Sequence, residues 1–215
     1  MADSAARAAA DSIRRELAGL RTGATDSAYA PDRERFGSYS HQEIWELVHE
    51  VLDPAALGHV AAAWQANASA VAEAFQAFSD AANREFARWS GRTADAATRA
   101  TREFASSGAE AHDVCRAVAR LMELNCDAAQ TIRGAIPPIE PYRPLEDAAA
   151  EAVYGGKRRM EHDSAAAAVE ADVRDTMTYV YTPTMPASGD RVPSFVPSSD
   201  GVTQLPPAGN GGGTQ

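Results

Sequence analysis

The sequence predicts an all-α protein: an elongated antiparallel helical hairpin or bundle followed by a disordered C-terminal tail. Composition is the first ground for this. Hydrophobic residues make up 45% of the 215, aromatics only 7%, and alanine supplies much of the apolar share. Closely packed helices use such residues, whereas strands draw on β-branched and aromatic ones. The second ground is a pair of long runs in which apolar residues recur at steps of three and four, the period of one helix face. The third is punctuation. Gly91 falls between the two runs and Pro137-Pro138 closes the second, so the runs must fold back on each other to hide their stripes.

Taken in order, residues 1–38 read as a weak helix and a linker. Ile13, Leu17 and Leu20 give residues 2–20 a narrow apolar stripe, and Gly23, Pro31 and Gly37 then interrupt a polar stretch. Residues 39–182 form the helical domain. Ser40 and Glu43 stand in capping-box spacing ahead of Ile44 and Trp45, which predicts a short helix to about Val51. Asp53-Pro54 restarts the chain with a favoured N-cap and a proline at the first helical position.

The hairpin spans 54–136. Leu57, Val60, Trp64, Ala68, Val71, Phe75, Phe78, Ala82, Phe86 and Trp89 mark one face of a helix of about 35 residues, roughly 50 Å long. Gly91 is expected as the left-handed exit residue. Ala97, Ala100, Phe104, Val114, Cys115, Val118, Leu121, Met122, Ile132 and Ile136 mark the face of the second long helix. Beyond an extended proline-rich turn, helix is expected from Leu145 to Val153, a break at Gly155-Gly156, and helix again from about Met160 to Tyr181. Residues 183–215, rich in Pro, Gly, Ser and Thr, have no apolar period and are expected to be disordered.

Charge and cysteine usage narrow the function classes. Thirty acidic residues against 20 basic leave a net charge of -10 with no basic stripe, which argues against wrapping a nucleic acid backbone. Lys157 is the single lysine; arginine and alanine dominance is what GC-rich codons produce, and carries no chemistry. Cys115 and Cys126, eleven residues apart on one helix, would lie about 16 Å apart, beyond the roughly 7 Å a disulfide tolerates. They read as buried apolar residues or, rarely, an intermolecular link. No stretch approaches a membrane span, and Asp11, Arg14, Arg15 and Glu16 interrupt any signal-peptide core. The chain is expected to be cytoplasmic, or exported by a route that does not read such a peptide.

Catalytic constellations are not found. Gly155-Gly156-Lys157-Arg158 lacks the spacing and the Ser/Thr of a phosphate loop. Glu46 and His49 form a single Glu-x-x-His pair without the second pair that a di-iron bundle needs. His112 and Cys115 have no companion ligand pair, and His41, His59 and His162 stand alone. No enzyme activity, cofactor or metal is expected.

What remains is shape and a motif. Trp89-Ser90-Gly91, between two long amphipathic helices, resembles the Trp-x-Gly turn of the type VII (ESX) secretion substrates of Gram-positive bacteria. Tyr39-Ser40-His41-Gln42-Glu43-Ile44-Trp45 resembles the Tyr-Ser-His-Glu opening of PPE-like helical proteins of actinobacteria. The Trp64 helix, and the Gly155-Gly156 interruption followed by an Ala/Glu-rich helix, fall in the same order. The likeness to this WXG/PPE-like family covers about 39–181. The Pro-Pro-Glu signature is missing from the N-terminal region, and Pro137-Pro138-Ile139-Glu140 is in the wrong place to replace it.

The resemblance implies a non-catalytic protein exported folded, secreted or at the cell surface by a signal-peptide-independent route and cytoplasmic before export. It implies a small helical WXG/PE-like partner or a homodimer, a secretion ATPase that reads the motif, and a dedicated chaperone. The motif would comprise Trp89 and Gly91 with a Tyr-x-x-x-Asp/Glu element. Tyr142 and Glu146 fit that spacing with Pro144 inside it; Tyr39 and Glu43 also fit but precede the hairpin. The partner interface is expected at Trp64, Val71, Phe75, Phe78, Phe86, Phe104, Val118 and Leu121. The alternative is a cytoplasmic helical adaptor or structural protein that self-associates and is not exported, with Trp89 as ordinary core. A toxin-targeting domain acting with an effector on another chain is a third reading, and a lipid-surface role is disfavoured because the long helices lack a basic polar face.

Overall fold

The computed structural model describes residues 2–20, 22–29 and 32–195. Among them the architecture is all-α, with one isolated antiparallel bridge, Thr25 to Pro193. The helices are α1 (Ala2–Gly19), α2 (His41–Glu46, continued by a π turn Leu47–Val51), α3 (Pro54–Phe86), α4 (Arg92–Ala135), α5 (Ala148–Thr176, continued by a π turn Met177–Tyr181) and α6 (Thr182–Ser188).

Local chemistry sets the starts of these elements. The Ser40 side chain accepts from the Glu43 amide while Glu43 Oε2 accepts from the Ser40 amide at 2.7 Å, a complete capping box. That backbone bond, joined by the Ser40 hydroxyl, holds the Glu43 carboxyl below the usual carboxylate range. Asp53 Oδ1 accepts from the amides of Ala55 and Ala56 at 2.8 and 3.2 Å, and Pro54 takes the first helical position. Asp147 repeats the device for α5 through Ala149 and Ala150.

Helices α3 and α4 pack antiparallel along their length. At 44 residues α4 runs about 66 Å, and the rest of the chain gathers near its C-terminal half. There Phe36, Ile44, Val48, Ile132, Ile136, Val173 and Met177 form the core, with Tyr39, Trp45, Leu52 and Tyr181 packed against it. This base of the hairpin joins α2, the end of α4 and the π turn after α5. Arg133 Nη1 donates to the carbonyls of Val48, His49 and Leu52, satisfying the unpaired end of the α2 segment.

Three expectations are corrected. The 22–29 and 32–38 stretches are not a free linker. Phe36 is in the core, Asp26 N donates to Val192 O at 2.9 Å, Ser194 N donates to Ala24 O at 2.9 Å, and Arg33 clasps Asp190 at 2.6 and 2.8 Å. The region from 183 does not begin as disordered tail. Pro183 is tolerated in the first turn of α6, Asn125 Nδ2 donates to the buried Ser188 Oγ at 2.9 Å, and order continues to Phe195. From 196 onward the tail expectation lies outside the described residues. The break at Gly155-Gly156 is absent, since α5 runs through both glycines and starts at Ala148 instead of Leu145. The helix expected over 2–20 forms as α1 and docks on α4: Glu16 bridges Arg116 and Arg120, the latter at 2.9 Å.

Candidate interaction surface and hairpin tip

The turn between the long helices departs from its expected geometry. Helix α3 ends at Phe86, three residues before Trp89, and the chain tightens through Arg88 N to Glu85 O at 3.2 Å and Trp89 N to Phe86 O at 3.0 Å. Gly91 is the N-cap of α4 with φ 86° and ψ -175°. That is the mirror image of extended backbone and not the left-handed helical conformation of a C-terminal exit residue, and it is essentially confined to glycine. The Trp89 ring lies 5.3 Å from that of Phe86 and remains 54% exposed. It therefore does not close the stripe as core; it projects at the closed end of the hairpin, with the core cluster gathered around the opposite end.

The expected interface residues divide into two groups. Trp64, Val71, Phe75 and Phe86 are half-buried along α3, while Phe78 and Phe104 are 41% and 49% exposed. Phe104 meets Phe75 and Phe78 at 5.2 Å each, an aromatic ridge in the distal half of the hairpin. Gly108 is buried beneath the Phe75 ring, where a Cβ would fall 2.1 Å from Cγ, so a glycine is required for that approach. Val118 and Leu121 are a correction. They are buried within the chain itself, in the part of α4 where α1 docks, with Leu17, Ala18 and Pro193 beside Leu121. A partner cannot reach Leu121 while α1 is seated, and Val118, 8% exposed, offers it almost no surface.

Tyr142 and Glu146 are not brought together as a helical pair, because 137–146 is irregular backbone ahead of α5. Tyr142 instead donates its hydroxyl to Glu151 Oε1 at 2.7 Å, and Glu151 Oε2 accepts from Leu145 N at 2.9 Å and from Arg158. The bond to Glu151 pushes the Tyr142 phenol up, and the Leu145 amide, joined by Tyr142, pulls the Glu151 carboxyl down. Arg159 lies 4.8 Å over the Tyr142 ring and His162 meets its edge at 5.5 Å. Glu146 is exposed. Glu151, the residue that anchors Tyr142, was missed by the sequence reading. Its signal is Gly155 one turn later, whose Cβ would lie 2.3 Å from Glu151 Oε1.

The histidine and cysteine candidates occupy structural positions. His49 stacks on Trp45 at 4.9 Å and lies 3.1 Å from Ile136 O, apart from any second Glu-x-x-His pair. His112 pairs with Asp113 at 3.0 Å. Cys115 is buried, which pushes its thiol up, and Cys126 donates to Pro54 O at 3.3 Å. Among the described residues no group of three or more His, Cys, Asp and Glu is placed to hold a metal ion, and no helix is long and apolar enough to cross a membrane.

One feature had no sequence signal. An open apolar groove of about 480 Å³ lies at the base, lined by Phe36, Val48, Val51, Leu57, Val60, Met177 and Tyr181. It is assembled from the segment before α2, α2 with its π turn, α3 and the π turn after α5, so no single periodic run contains it. No family model, curated protein or solved structure matches the chain.

Proposed function

We propose that the chain is a type VII secretion substrate, or a helical protein associated with that pathway, acting by protein–protein contact and not by catalysis. The observation that carries this reading is the tip: Trp89, more than half exposed, held beside a glycine in a conformation that other residues avoid. A large aromatic ring left in water at a turn contributes little to folding, and a recognition role accounts for its position. The aromatic ridge of Phe75, Phe78 and Phe104 supplies the surface for a small helical partner or a second copy, since two helices cannot bury both their faces. Tyr142, held on α5 by Glu151, is the candidate second half of the export signal.

The deciding experiment replaces Trp89 with Ala and follows the protein in culture supernatant without lysis, with far-UV circular dichroism as the folding control. Loss of export with unchanged helicity is expected. Export equal to wild type would remove the motif assignment. A second reading, a self-associating adaptor that stays in the cell, is favoured by the apolar groove at the base, which the export reading does not use. It predicts association in light scattering together with absence from the supernatant.

A further inference from the structure

The end of the hairpin that bears Trp89 is the basic pole of an acidic chain. Between residues 84 and 103 five arginines, Arg84, Arg88, Arg92, Arg99 and Arg102, face three acids, in a protein of net charge -10. All five are exposed. Among the described residues none of them forms an ion pair, whereas Arg116 and Arg120 farther along α4, and Arg158 and Arg174 on α5, each hold a carboxylate. Arg84 lies on the last turn of α3 and Arg88 in the turn itself; Arg92, Arg99 and Arg102 fall at intervals of seven and three on α4, a short basic face at its start in a helix that the sequence reading took to have none. Unpaired like charges gathered at one end repel one another, and an acidic counter-surface relieves that repulsion.

We propose that the tip docks on an acidic, concave protein surface: an apolar slot takes the Trp89 ring, and carboxylates around its rim pair with Arg88, Arg92 and Arg99. The export reading above supplies only the identity of the receptor, a component of the secretion machinery; the receptor chemistry follows from the tip. A lipid surface fits less well. Glu85, Asp95 and Glu103 are interleaved with the arginines and would meet a uniformly anionic plane. Trp89 is also the one large apolar side chain exposed between 79 and 103, too little for an inserted face. A protein surface can place opposite charges against both signs.

The test uses the full chain in three forms: the triple variant Arg88→Gln, Arg92→Gln, Arg99→Gln; its Lys counterpart; and Trp89→Ala. Each is followed for export from an actinobacterial host with a working type VII system, and in vitro with poly-L-glutamate and with vesicles of equal parts phosphatidylcholine and phosphatidylserine. The Gln triple is expected to lose at least about tenfold in export, the scale of one interface hot spot, while the Lys triple retains most of it. Poly-L-glutamate is expected to shift the tryptophan emission of the wild type at low salt and not that of the Gln triple. If the Gln triple is exported like wild type while Trp89→Ala is not, the acidic receptor is wrong and the export reading stands. If Trp89→Ala is exported normally, the export reading fails, and poly-L-glutamate alone decides the chemistry: an arginine-dependent shift supports it and no shift overturns it. Arginine-dependent sedimentation with the vesicles, without a response to poly-L-glutamate, assigns the tip to lipid and overturns the proposal.

Discussion

Replacing Gly91 with Ala isolates the backbone term of the turn. At φ 86° and ψ -175°, an L-residue costs on the order of 1–3 kcal/mol. An added Cβ meets nothing within 4 Å, so neither collision nor new packing enters. The alanine also restricts the unfolded chain, which returns about 0.4–1 kcal/mol. The net loss is roughly 0–2.6 kcal/mol, and at about 2–4 °C per kcal/mol for a chain of this size Tm falls by up to about 10 °C. Thermal melts followed at 222 nm measure it, with far-UV spectra below the transition expected to match wild type because both helices survive. A Tm above wild type would show that the chain does not hold this turn, and with it the account of why Trp89 projects would collapse.

Adjacent glycines in α5 should respond with opposite signs. Gly156→Ala, with open space around the new Cβ, raises stability by about 1 kcal/mol through helix propensity, whereas Gly155→Ala displaces Glu151 from Tyr142 and Leu145 and lowers Tm. Leu121→Ala removes a side chain only 1% exposed and is expected to cost about 2–5 kcal/mol, while Phe78→Ser, at a 41% exposed site, loses its edge contact with Phe104, worth about 0.5–1.5 kcal/mol, and weakens partner binding in a pull-down. The His162 imidazole accepts stabilisation in its charged form from the Glu140 carbonyl, then from Asp163, which raises its pKa above 6.5. Its contribution is therefore fully present below 6.5 and lost as pH rises through the raised value, so the Tm difference between wild type and His162→Gln should shrink as pH rises above 6.5. A difference that grows over that range would reverse the sign of the argument.

The candidate site was legible in part, and the boundary follows from the range of the interactions. Ser40 with Glu43 and Asp53 with Pro54 announce helix starts because a cap and its amides lie within one turn. The tip was located by Trp89 and Gly91, but the ring's exposure was not, since periodicity alone placed it on the stripe. Tyr142 was singled out for its spacing to Glu146, but the acid that its hydroxyl meets is Glu151. A Tyr four residues before Glu146 suggests a helical pair, yet Pro144 keeps that stretch extended, and the partner is Glu151 on the following helix.

By itself the sequence determined the two long amphipathic helices, their antiparallel return at Gly91 and their end at Pro137, because each is written in residues three or four apart or in a single turn. Only the tertiary structure decided which parts of those stripes stay open. Val118 and Leu121 carry the same apolar signal as Phe78 and Phe104, but the first pair is buried, Leu121 beside α1 and residues 191–193, while Phe78 and Phe104 stay exposed. That placement depends on Glu16 reaching Arg116 and Arg120 and on residues 24–26 pairing with 192–194, contacts spanning 100 residues or more. No local period encodes such contacts, since they become favourable only after both helices are in place.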